Sequence, residues 1–120
     1  MHVHSTETLA TKRCVPCEGG VEKYSRHQAE EQLAQLSGWI LNEDGTKILK
    51  RWQAKDFVAA IEFFRRVADL AEGEGHHPDL HLESYRNVTI EIYTHAVGGL
   101  SENDFILAAK IDALPIALKT

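Results

Sequence analysis

The segment "EGEGHHPDLHL" sets two imidazoles side by side, His76 and His77, directly before Pro78. Adjacent histidines repel when both are charged and so displace each other's titration, a cost more readily tolerated where it is useful. His95, closing "NVTIEIYTH", and His81, inside "DLHLES", each have a blander explanation, because a single strand histidine is ordinarily a surface or hydrogen-bonded residue. The adjacent pair is harder to dismiss. An unperturbed imidazole titrates at about pH 6.5, so two of them can hold opposite protonation states at neutral pH and serve as acid and base.

The other pattern with chemical potential is "CVPC", formed by Cys14 and Cys17, the only cysteines. This spacing binds zinc when a second pair of ligands exists and cycles as a dithiol when a strand precedes it and a helix follows. Neither context surrounds it, so the expectation is two reduced thiols. A zinc site completed by histidines is the competing reading.

The elements that must position these groups follow from local patterns. The first twenty or so residues read as a polar, flexible arm, residues 1–21, and the folded domain as residues 22–120. Ser25 with Gln28 has capping-box spacing and opens a helix to about Leu36, ended by Gly38. Asp44-Gly45 between two apolar runs predicts a hairpin. From Asp56 the period becomes helical, with Phe57, Ile61, Phe64, Ala68 and Ala71 as the expected buried stripe, until the glycines of "EGEG" and Pro78 end it. "DLHLES" and "NVTIEIYTH" alternate as strands around "YRN". Ser101 and Asp104 have capping-box spacing for a last helix whose stripe is Leu107, Ile111, Leu114 and Leu118, with Pro115 near its end.

These elements predict an α+β domain: a four-stranded, mainly antiparallel sheet with three helices packed on one face. On the last strand Val88, Ile90 and Ile92 share the core side, while Thr89, Glu91, Tyr93 and His95 share the other. If that strand stays regular to its end, His95 approaches His76 and His77 at one end of the sheet.

Composition narrows the classes of function. The chain has 120 residues, 43% hydrophobic and 26% charged, which suits one domain. Its net charge of -5, with no basic stripe, argues against direct nucleic-acid binding. No apolar run approaches the roughly 18 residues of a membrane span and no signal-peptide core is present, so a cytoplasmic protein with no membrane contact is expected.

"EGEGHHPDLHLESYRNVTIEIYTHAVGGLSENDFILAAKID" closely resembles the signature region of the pterin-4a-carbinolamine dehydratases: an acidic residue before His-His-Pro, a later aromatic residue, then Thr-His and Gly-Leu-Ser followed by Asp. The likeness extends to Gly38-Trp39 and "KDFVAAIEFFRRVADLAE", covering about residues 22 to 118. It implies that His76, His77 and His95 are the catalytic, pterin-binding residues, and that Ser101 and Asp104 belong to the binding set by supporting the loop after His95. The implied reaction is dehydration of a 4a-hydroxytetrahydropterin to the quinonoid dihydropterin, with His76 and His95 as the acid/base pair and His77 mainly binding and orienting. No metal or other cofactor is implied. The partners implied are a small-molecule pterin and further copies of the chain, as a homodimer or homotetramer. A second reading is a non-catalytic binding protein, since relatives act as a transcription coactivator or as Rubisco assembly factors. Leu80, Val97 and Asn103 stand where animal members often have Trp, Cys and Arg, and reversion there is expected to have small kinetic effects.

Overall fold

The computed structural model describes residues 3–16 and 21–120. In chain order the elements are α1 (Thr6–Thr11), α2 (Arg26–Leu33), β1 (Ile40–Leu41), β2 (Ile48–Gln53), α3 (Phe57–Glu74), β3 (Asp79–Glu83), β4 (Asn87–Ile92) and α4 (Glu102–Asp112). The four strands form one antiparallel sheet in the order β1-β2-β4-β3, as the α+β reading requires. Its register pairs Ile48 with Ile92, Lys50 with Ile90 and Trp52 with Val88, which puts their side chains on one face. That face is the core: Ile48, Val88, Ile90 and Ile92 are buried there with Phe63 of α3 and Phe105 and Ile106 of α4. Arg51, Gln53, His81 and Glu83 occupy the opposite, open face.

Turn chemistry explains the hairpins. Between β1 and β2 the Asn42 side chain accepts from the Thr46 and Lys47 amides at 2.9 Å each, and Gly45 takes the positive φ of 76° that the turn needs. Between β3 and β4, Ser84 and Tyr85 have φ of 48° and 56°, with Arg86 donating to Ala54 O at 2.9 Å. The Ser25–Gln28 capping box is present as expected, with reciprocal bonds of 2.8 and 3.1 Å.

Three expectations require correction. The buried stripe of α3 is Ala59, Ala60, Phe63, Val67 and Ala71, whereas Phe57, Ile61 and Ala68 are exposed. This helix carries apolar residues on most of its circumference, and the face with alanines lets it approach the sheet closely enough for Phe63 to reach Trp52 at 5.2 Å between ring centres. The last helix stops at Asp112, before Pro115, and Leu118 instead bridges to Ala54 beside the end of β2. Finally, β4 ends at Ile92, and His95 begins a single 3-10 turn, His95–Val97.

Residues 3–16, expected as part of a polar arm, lie against the domain. Leu9 of α1 is fully buried in the core, and Gln32 of α2 both donates to His4 O at 2.7 Å and accepts from His4 N at 3.0 Å. Packing of α1 on α4 helps explain why α4 is buried nearly all round. Cys17 lies outside the described residues, and with it the pairing of "CVPC".

Candidate active site

The adjacent histidines diverge because of one glycine. Gly75 ends α3 in the left-handed region at φ 66°, where its own amide and that of His76 both reach back to Ala71 O. The chain therefore reverses between helix and sheet, and Pro78 leads it into β3. His76 is carried inward, with 6% of its surface exposed, while His77 stays exposed and its Nε2 meets the Glu72 carboxylate.

Behind His76 lies a closed polar network. Asp104, fully buried in the first turn of α4, accepts at Oδ1 from His76 Nε2 at 2.7 Å. Its Oδ2 accepts from the Ser101 amide and from Thr94 Oγ1, each at 2.8 Å, and the Thr94 and Ser101 hydroxyls meet at 2.8 Å. An ionised carboxylate only accepts, so this pairing makes Nε2 the protonated ring nitrogen of His76. Thr94 is delivered by its bridge to Gly99, which closes a short loop containing the 3-10 turn and Gly98 at φ 63°.

His76, His77 and His95 line one recess of about 320 Å³, together with Gly75, Asp79, Tyr93 and Ala96. The expected convergence of three imidazoles is thus seen, although by way of the 3-10 turn and not a regular strand end. Ser101 and Asp104 do not line the recess; both are fully buried and act from behind His76. His81 is elsewhere, on the open face, with its Nε2 2.8 Å from Glu91 Oε1. A larger concavity of about 700 Å³ on that open face contains His81 alone among the described histidines, and size does not make it the better site.

Sequence reasoning missed Asp79, Tyr93 and Thr94. Tyr93 stands edge-on to His95 at 6.4 Å and carries the Lys47 ammonium 4.9 Å from its ring centre. Its shared parity with His95 was a signal for it. Thr94 gave a weaker one, since a threonine in a β-rich run reads as an ordinary strand residue.

Two residues before His76, Glu74 accepts from Lys110 Nζ at 2.7 Å and from the Cys14 amide at 2.8 Å. Burial pushes its carboxyl up, but Lys110 and the Cys14 N–H outweigh this and hold it below the usual carboxylate value. The Cys14 thiol is pushed up to about 12, first by burial and then by the Glu74 charge. Such a thiol is poorly disposed to become the thiolate that zinc binding or redox exchange needs. Among the described residues no group of three His, Cys, Asp or Glu is placed to hold a metal. Asn103 also departs from expectation: it is buried and donates to Val15 O at 2.8 Å while accepting from Val15 N at 3.0 Å. An arginine there would lose both bonds and need room that a buried site does not offer.

Comparison with known proteins places the chain in a family. The sequence profile of the family described as pterin 4 alpha carbinolamine dehydratase matches residues 22–114. The mitochondrial pterin-4-alpha-carbinolamine dehydratase 2 of Arabidopsis thaliana is 50% identical over 115 residues, 93% of this chain; the chain spans 62% of that protein's length. A Halorhodospira halophila protein provisionally given the same activity name is 48% identical over 89% of this chain and 97% of its own. Among solved structures, a transcriptional coactivator/pterin dehydratase from Brucella melitensis superposes with a TM-score of 0.71 at 29% identity, covering 77% of this chain and 97% of that one. With a histidine-lined recess at the end of an antiparallel sheet and a profile match over most of its length, the chain belongs to the pterin-4a-carbinolamine dehydratase family, a family of hydro-lyases.

Proposed function

We propose that this chain dehydrates a 4a-hydroxytetrahydropterin to the quinonoid dihydropterin by histidine acid/base catalysis, as a step in pterin cofactor recycling. The observation that carries the reading is the convergence of His76, His77 and His95 on one recess. In the reaction the hydroxyl leaves C4a with a proton from a general acid, forming water, while a general base removes the proton from N5. His76 and His95 are the proposed pair. Asp104 supports that role for His76 by holding its ring in place and accepting from Nε2. His77, exposed at the rim, is assigned to binding and orientation, and Tyr93 and Asp79 join it as walls of the same recess. Ser101 and Asp104 contribute to binding indirectly, through His76.

The direct test is stopped-flow dehydration of a synthetic 4a-carbinolamine by the purified full chain, with and without a chelator. A catalysed rate that survives the chelator is expected. A rate equal to the uncatalysed one at micromolar protein would refute the proposal.

A binding role is the second reading, favoured by one observation: the Brucella melitensis neighbour is named a transcriptional coactivator as well as a pterin dehydratase. It would leave the histidines without turnover, so the same assay separates the two. The division into an N-terminal segment, residues 1–21, and a catalytic domain from residue 22 belongs to the proposal, as does a cytoplasmic location. No helix among the described residues is long and apolar enough to cross a membrane, while the Arabidopsis relative is named as mitochondrial.

Self-association is also proposed. Phe57, Val58 and Ile61 are about half exposed on α3 (52%, 62% and 46%), an apolar patch of the kind that subunit contacts cover. Light scattering at micromolar concentration is expected to give the mass of a dimer or tetramer, and a monomer's mass would contradict this.

A further inference from the structure

The segment preceding the matched family region touches both sides of the buried His76–Asp104 pair. On the histidine side, Arg13 donates to Gly73 O at 3.2 Å and the Cys14 amide donates to Glu74 at 2.8 Å, three and two positions before His76. On the aspartate side, Asn103 makes its two-point bond with Val15, and the Cys14 thiol lies 3.5 Å from Asn103 O, immediately before Asp104. Three consecutive residues of a segment without helix or strand structure therefore bond the end of α3 to the start of α4. His76 and Asp104 hang from those same two ends. Lys110 of α4 adds its own bond to the Glu74 carboxylate, so the joint is held by the segment's bonds and by an ion pair.

We propose that Arg13, Cys14 and Val15 form a positioning strap, anchored by Asn103 and Glu74, that sets the separation of His76 from Asp104 and hence the pose of His76 in the recess. A bond of 2.7 Å between two buried side chains leaves little slack, and small displacements of reacting groups are costly in rate. The strap touches no part of the recess, so it acts through His76 and not on substrate. Its grip depends on pH in a definite direction. Glu74 has a folded-state value below the usual carboxylate value of about 4.3, so its contribution is in place above that pH and is lost as pH falls through the lower folded value. At the alkaline end the contribution of Cys14 runs oppositely. The folded thiol value of about 12 is above that of a free thiol, so stability is present below the free value and lost as pH rises toward 12.

The test uses the full chain in a Cys17→Ser background, so that Cys14 is the sole thiol, with Asn103→Ala and Val15→Pro as variants. The first removes the anchor; the second removes one strap N–H at an exposed residue and substitutes no residue of the domain, which keeps the test decisive should Asn103→Ala fold poorly. Three readouts are compared at pH 8: reaction of Cys14 with a thiol reagent, the kcat against KM split, and the ring-proton resonances of His76. Release of the strap is expected to speed thiol reaction at least tenfold, shift the His76 resonances and lower kcat by about tenfold at nearly constant KM. A freed Cys14 with unchanged His76 resonances and unchanged kcat would overturn the proposal, and so would a Cys14 that stays unreactive in both variants. The activity readout rests on the dehydratase proposal. If the parent chain has no turnover, the thiol and resonance readouts still decide the strap by themselves.

Discussion

Replacing Asp104 with alanine is expected to destabilise the fold by about 3–5 kcal/mol, the usual cost of removing one partner from a buried pair. The cause is local and countable. The His76 Nε2–H, the Ser101 amide and the Thr94 hydroxyl all donate to this carboxylate, and the change takes that acceptor from all three. Thr94 still has the Ser101 hydroxyl. For a domain of this length the loss corresponds to a fall in melting temperature of roughly 10–25 °C, measured by thermal denaturation at pH 7. Asp104→Asn separates stability from chemistry, since it retains the volume and one acceptor but presents the wrong group to His76 or to Ser101. It is expected to melt only modestly lower than wild type while turning over far more slowly. An unchanged melting temperature in the alanine variant would mean that the network contributes little to the fold.

The histidines themselves give the second large effect. His76→Ala or His95→Ala is expected to lower kcat by about 10²- to 10⁴-fold, the range for loss of a positioned proton carrier, with a smaller change in KM. His77→Ala should raise KM at least as much as it lowers kcat, because its side chain sits at the rim and pairs with Glu72 outside the chemistry. Single-turnover kinetics separates the two patterns, and equal KM and kcat effects across all three variants would remove the division of roles.

Much of this arrangement was legible from residue order because it depends on short-range chemistry. The Ser25–Gln28 box, the turn at Gly45 and the alternation Val88, Ile90, Ile92 each follow from neighbours within a few positions, and each was found. The recess was foreseeable in outline, since Gly75 and Pro78 force a reversal that brings His76 and His77 to the end of the strand leading to His95. What stayed hidden depends on long-range packing. Periodicity could not choose between the Phe57–Ile61 and Phe63–Val67 faces of α3, because tertiary fit to Trp52 decides between them. Nor could it show that β4 stops at Ile92, a consequence of the Thr94–Gly99 bridge across a loop. The docking of Leu9 and the clasp of Asn103 on Val15 join positions far apart in sequence, which no local pattern marks.

Proton transfer by paired imidazoles is the central claim, and the pH profile of carbinolamine dehydration, corrected for the uncatalysed reaction, tests it most directly. One group must be protonated and another neutral, so the wild-type rate is expected to fall on both sides of an optimum, with limbs belonging to the coupled set of histidines. Loss of His76 or His95 should remove one limb from the residual activity, while the wild-type chain remains folded across the same range. A flat corrected profile from about pH 5 to 9, the span that brackets histidine titration, would contradict imidazole acid/base catalysis and leave the His-His-Pro turn as a binding or structural element.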